Sequence, residues 1–167
     1  DVNFTIDFLD LASNSGSRVT TLTSGDKIVY DETVPTLPTV DISSNNSNGA
    51  TFAKVGDVIT ISVSASENIQ TPTVTIAGNA AAIATGSNGE RVYTATYTMQ
   101  SSDNTGVIPF TVDFSDMANN AGTQVTAVAN DSDGGVTFDK QAPSFTTVTM
   151  SSDNSTSTLA IVNDVIT

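Results

Sequence analysis

Cysteine, histidine and tryptophan are all missing from the 167 residues, and basic side chains are few. Without cysteine there can be no disulfide, thiolate zinc site or cysteine nucleophile. Without histidine, a Ser-His-Asp triad and a Cys-His pair are excluded as well. Lysine and arginine number 5 against 18 aspartates and glutamates, a formal net charge of −13. Nucleic acids and anionic membrane surfaces are bound by clustered basic side chains, so the balance argues against both as partners. No apolar run reaches the roughly 18 residues of a membrane-spanning helix, and no signal peptide is recognisable. A Gly-rich phosphate loop and zinc-ligand spacing are lacking too. Glycoside hydrolysis requires only two carboxylates. Here, however, the carboxylates fall in turns and on solvent faces, with no aromatic platform for a sugar. The expectation is a protein that is not an enzyme.

What is there is serine, threonine and aliphatic residues in alternation. Charged residues make up only 14% of the chain, which separates it from a charge-rich disordered tail. The chain also repeats itself. Val2-Asn3-Phe4-Thr5-Ile6-Asp7-Phe8-Leu9-Asp10-Leu11-Ala12 returns as Ile108-Pro109-Phe110-Thr111-Val112-Asp113-Phe114-Ser115-Asp116-Met117-Ala118. Asp31 and Pro35 match Asp139 and Pro143, and Asp57-Val58-Ile59-Thr60 matches Asp164-Val165-Ile166-Thr167. The offset implies a repeat of about 107 residues. The expected organisation is the C-terminal strands of one repeat (1–32), a complete repeat (33–140) and the N-terminal strands of a third (141–167). The chain opens in strand-like sequence at Asp1, as a segment of a longer protein would.

Within 33–140 the hydrophobic period is two. Ile59, Ile61, Val63 and Ala65 alternate with Thr60, Ser62 and Ser64; Tyr93, Ala95, Tyr97 and Met99 alternate with threonines. Ile108, Phe110, Val112 and Phe114 share one face and Pro109, Thr111 and Asp113 the other. Turn signals such as Asn48-Gly49, Gly56-Asp57, Asn88-Gly89 and Asp131-Ser132-Asp133-Gly134-Gly135 separate these runs. Strands are therefore expected at 37–42, 58–66, 72–77, near 81–85, 90–99, 107–114 and 123–138, the last one interrupted. Seven short strands with regularly spaced turns describe an all-β, immunoglobulin-like β-sandwich.

Four motifs in order add a resemblance: Asp31 to Pro35 (Asp-x-x-x-Pro), Gly56 to Thr60 (Gly-Asp-x-Ile-Thr), Ser66 to Ile69 (Ser-Glu-x-Ile) and Asp116 to Asn120 (Asp-x-Ala-x-Asn). The chain resembles the bacterial Ig-like repeats of giant cell-surface adhesins over essentially its whole length. In that family the fourth motif usually reads Asp-x-Ala-Gly-Asn, whereas Asn119 and Ser13 stand at the Gly position here. The resemblance implies an extracellular location at the cell surface.

In such a sandwich, alternating strand direction brings the loops after the second and sixth strands to the pole where the chain enters. Glu67, Asp116 and the linker residue Asp31 are expected there, with Asn119 and Asn120 able to add oxygens. Hard oxygen donors suit Ca²⁺. The bland alternative is that these are ordinary loop residues, Asp116 opening an Asx turn. Two functional classes follow. One is a spacer repeat of a surface adhesin whose partners are its adjacent repeats, stiffened by calcium at the junctions. The other is a subunit of a self-assembling fibre, sheath or surface layer whose partners are neighbouring copies. A carbohydrate-binding accessory module is weakened by the lack of Trp and by only three Tyr.

Overall fold

The computed structural model describes residues 1–129 and 134–167, and these contain strands and turns but no helix. Residues 130–133, where the last expected turn begins and the strand expected at 123–138 has its middle, lie outside the described residues. Among the described residues ten strands are defined: β1 (Thr39–Ser44), β2 (Phe52–Ala53), β3 (Val58–Ile69), β4 (Thr73–Ile76), β5 (Asn79–Ala80), β6 (Ala82–Thr85), β7 (Glu90–Thr98), β8 (Gly106–Val107), β9 (Phe110–Asp113) and β10 (Thr137–Phe138).

The largest sheet runs β1-β3-β7-β6, antiparallel throughout. Its registers place Ile42 beside Ile61, Ile61 beside Ala95, and Val63 beside Tyr93, so the alternating apolar residues make one continuous buried face. Period-two patterning has this consequence because side chains two apart project to the same side. Against that face lies a second sheet, β5-β4-β9, in which Val74 pairs with Val112 and Ile76 with Phe110. The third sheet, β2-β10-β8, has β10 parallel to β2 and antiparallel to β8. Among the described residues, the buried aliphatic and aromatic side chains from Leu37 to Phe138 form one cluster.

The structure corrects the expected strands in several places: β1 lies two residues later than expected, β3 runs on to Ile69 and takes in Glu67, and β2 and β5 were not expected. The run 107–114 is broken into β8 and β9, because Pro109 carries no N–H for a ladder. Its apolar face survives the break: Ile108, Phe110, Val112 and Phe114 are all buried. The run 123–138, expected to be interrupted, holds among its described residues the isolated bridges Val125 to Val112 and Ala129 to Val40 and then β10. The two-residue strands β2 and β5 have too few residues to show a period.

The flanking segments reproduce local bonds of the centre. Ile6 bridges Val19 as Val112 bridges Val125, and Leu9 bridges Ser15 as Ser115 bridges Ala121. Gly16 N donates to Phe8 O (2.9 Å) as Gly122 N does to Phe114 O (3.0 Å). On the other side, Asn154 Nδ2 donates to Asp164 Oδ2 (2.9 Å) as Asn46 Nδ2 does to Asp57 Oδ2 (2.6 Å). Ser13 and Asn119 both take left-handed backbone, φ 69° and 70°. The left-handed turn thus forms with serine as well as asparagine.

Candidate metal centre

Three segments meet at one end of the large sheet. At the end of β3, Ser66 N donates to Thr36 O (2.9 Å) and Ser66 Oγ accepts from Thr36 N (3.0 Å), which straps the incoming chain to the strand. Pro35 and Leu37 are buried beneath that strap. The loop after β9 is joined to the same corner by the Ile69–Asp116 bridge and by Gln70 N donating to Ser115 O (2.9 Å).

The consequence is that one carboxylate oxygen from each of Asp31, Glu67 and Asp116 lies within 4.8 Å of the others. Asp116 is buried and the other two are half-buried. Asp116 Oδ1 accepts from Ala118 N (2.8 Å) and Asn120 N (2.7 Å), while its Oδ2 accepts from Asn120 Nδ2 (2.8 Å). Burial acts to raise its pKa, but the hydrogen bonds from Asn120, Ala118 and Asn119 outweigh that and hold it below the ordinary carboxylate value. Asp116 is therefore an anion at neutral pH. Asp31 Oδ1 accepts from Thr33 N (2.9 Å), which turns the linker at that point.

Glu67 differs from its neighbours: its Oε1 is shielded from solvent and accepts no hydrogen bond from any described residue. A buried carboxylate oxygen without a donor is costly, and the cost is relieved by a cation. Ligand oxygens around one Ca²⁺, each at about 2.3–2.6 Å, stand at most about 5 Å apart. The spacing and the chemistry of the three carboxylates fit that ion.

Of the five residues singled out in the sequence, the structure brings Asp31, Glu67 and Asp116 together. Asn120 borders them through its amide, which donates to Asp31 O (3.1 Å) as well as to Asp116. The side-chain oxygen of Asn119 points to Gln70 Nε2 (2.8 Å), which also donates to Asp116 O (2.9 Å). Gln70 and Ser66 were not legible as parts of this corner. Ser66 ends the run expected as a strand and opens the Ser-Glu-x-Ile motif, and Gln70 follows that motif, but only the fold gives each a partner 30 or more residues away.

No family model matches the chain, and no curated protein or solved structure matches it either.

Proposed function

We propose that the chain is a run of tandem immunoglobulin-like repeats. It would act as a non-enzymatic extracellular spacer of a large bacterial surface adhesin, with Ca²⁺ binding where the linker enters the complete repeat. The order β1-β3-β7-β6 supports this reading, since it matches the A-B-E-D sheet of an immunoglobulin constant domain. Strands β4 and β9, with the Val125 bridge, correspond to C, F and G. The local bonds that 1–32 and 141–167 each share with 33–140 support one complete and two partial copies of one unit.

The single observation that carries the calcium is the convergence of Asp31, Glu67 and Asp116 around an unpartnered Glu67 oxygen. Asp31 belongs to the linker and the other two to the body of the repeat. Without a cation their negative charges push the linker away; a divalent cation makes the same groups hold it. Asn120 serves as the brace that keeps Asp116 and the Asp31 carbonyl in place. Isothermal titration of the chain with CaCl₂ tests the site. One calcium per chain is expected, with binding lost in Glu67→Gln. Equal heats in the variant, or none in the parent, would leave the corner a set of turn-forming residues.

A further inference from the structure

Two Asn-Gly pairs occur in the central unit, Asn48-Gly49 and Asn88-Gly89, and both asparagines are exposed in turns. Asparagine is a thermolabile side chain, and a following glycine leaves its carboxamide open to the next backbone nitrogen because no Cβ stands in the way. Sequence and exposure therefore treat the two pairs alike. Their hydrogen bonds do not.

The turn of Asn88 is tied down at both groups that would have to react. Gly89 N donates to Ile69 O (2.9 Å), at the end of β3, and Asn88 Oδ1 accepts from Thr71 N (3.2 Å). Glu90, the first residue of β7, pairs with Ile69, and its N–H donates to Ser87 O (3.0 Å). The turn of Asn48, between β1 and β2, holds neither group as firmly. Gly49 N reaches only Asn46 O, within the same turn, at 3.3 Å. The main-chain N–H of Asn48 donates to Asn46 Oδ1 (2.9 Å), but its carboxamide bonds to no described residue. That carboxamide is free to turn its Cγ toward Gly49 N.

We propose that Asn48 is a site of spontaneous deamidation in the folded protein and that Asn88 is protected from it. The Gly49 N–H gives its proton to solvent base, and the nitrogen bonds to Asn48 Cγ. The Cγ–Nδ2 bond breaks, and Nδ2 leaves as ammonia with a proton taken from water. Water then opens the cyclic imide. Addition at Cγ gives aspartate; addition at the main-chain carbonyl gives isoaspartate, whose backbone is longer by one methylene. In sum a carboxamide and a water become a carboxylate and an ammonium ion, with nothing oxidised or reduced. The lone pair of an amide nitrogen is delocalised into its own carbonyl, so the nitrogen attacks only once deprotonated. The Gly89 N–H, held by Ile69 O, is kept from that step until its turn opens locally. The extra methylene would fall inside the loop closed by Ser44 N donating to Ala50 O (2.9 Å), just before Gly49 O accepts from Phe52 N (3.2 Å). Deamidation at Asn48 therefore strikes the passage from β1 into β2.

Ageing the whole chain at mildly alkaline pH, folded in buffer and unfolded in guanidinium chloride, tests the proposal. Trypsin cleavage after Lys27, Lys54 and Arg91 then puts Asn48 in peptide 28–54 and Asn88 in peptide 55–91. Mass spectrometry reads the gain from amide to acid, and fragment ions place it. In the unfolded chain the two sites are expected to react at similar rates. In the folded chain Asn48 keeps nearly its unfolded rate, while Asn88 slows about tenfold or more, because opening its turn breaks the hydrogen bonds to Ile69 and Thr71. Asn48→Gln, whose longer side chain closes the ring far more slowly, removes the acid from peptide 28–54 and leaves Asn88 as it was. Acid at Asn88 that keeps pace with Asn48 in the folded chain overturns the proposal, as does folding that slows the two sites alike. A difference just as large in the unfolded chain assigns the selectivity to local sequence and overturns the structural account. Acid that persists in peptide 28–54 of the variant places the reaction at Asn45 or Asn46 and overturns the assignment to Asn48.

Discussion

At the scale of single residues, burial and backbone conformation assign distinct costs to neighbouring positions. Phe110 is buried between the sheets, while the next residue, Thr111, is half-buried and bonds through its hydroxyl to Thr75 (2.7 Å). Phe110→Ala is expected to cost about 3–5 kcal/mol in urea unfolding, and Thr111→Ala less than half of that. Equal costs at the two positions would contradict the registry of β9 against β4. Ala77 lies in the tight turn between β4 and β5 with φ 53°, a region that a Cβ disfavours by about 1–2 kcal/mol. Ala77→Gly should therefore raise the unfolding free energy by up to about 1 kcal/mol, the gain being reduced by the greater freedom of glycine in the unfolded chain.

Asp57 adds a pH dependence at the same scale. The Lys54 side chain (2.5 Å) is the largest cause of its lowered pKa, followed by the Lys54 N–H and helped by the Asn46 amide. Together they bring the carboxyl down to about 2. A carboxyl whose folded pKa lies below its unfolded value of about 3.9 contributes stability above that value and loses it as the pH falls toward the folded pKa. Acid titration of stability should show a loss between about pH 4 and 2 that is smaller in Asp57→Asn. A parallel loss in the variant would assign the acid sensitivity to other carboxylates.

At the scale of elements, the long strands could be read from the sequence and the short ones could not. Strands β3 and β7 were legible because seven residues of strict alternation in each, at 59–65 and 93–99, leave one solution for what faces inward. Strand β1 lies two residues further along than the apolar run suggested. Pro38 precedes its first residue and has no N–H to enter the ladder. Strand β2 rests on two residues, Phe52 and Ala53, and its pairing with β10 spans most of the repeat, so no local signal could announce it. The left-handed residue of the Asp116 loop was legible from its asparagine; the role of Gly122, whose N–H donates to Phe114 O, was not. A Cβ at Gly122 would run into the ring of Phe114, so the glycine is where the returning chain crosses that ring. Gly122→Ala should destabilise by about 1–3 kcal/mol, the usual range for overpacking. A neutral result in thermal unfolding would mean that the ring can swing aside.

At the scale of the whole molecule, the candidate site depends on residues that only the fold brings together. Asp31, Glu67 and Asp116 were legible as members of one pole, because strand alternation dictates which ends are neighbours, although Glu67, expected in the loop after the strand, lies within β3, where its register against β7 shifts. The unpartnered Glu67 oxygen, the Ser66 strap and the Gln70 brace were not legible, since each depends on side-chain placement across separate strands. The central claim is that these groups hold a calcium ion that ties the linker to the repeat. The most direct measurement is the melting temperature of the whole chain in EDTA and in millimolar CaCl₂, alongside Glu67→Gln and Asp31→Asn. An ion that binds only the folded state stabilises by about 2.7 kcal/mol at a hundredfold excess over its dissociation constant. The expected result is a calcium-dependent rise in the parent that is lost or sharply reduced in both variants. A parent whose melting is indifferent to calcium, or variants that rise as much as the parent, would contradict the account.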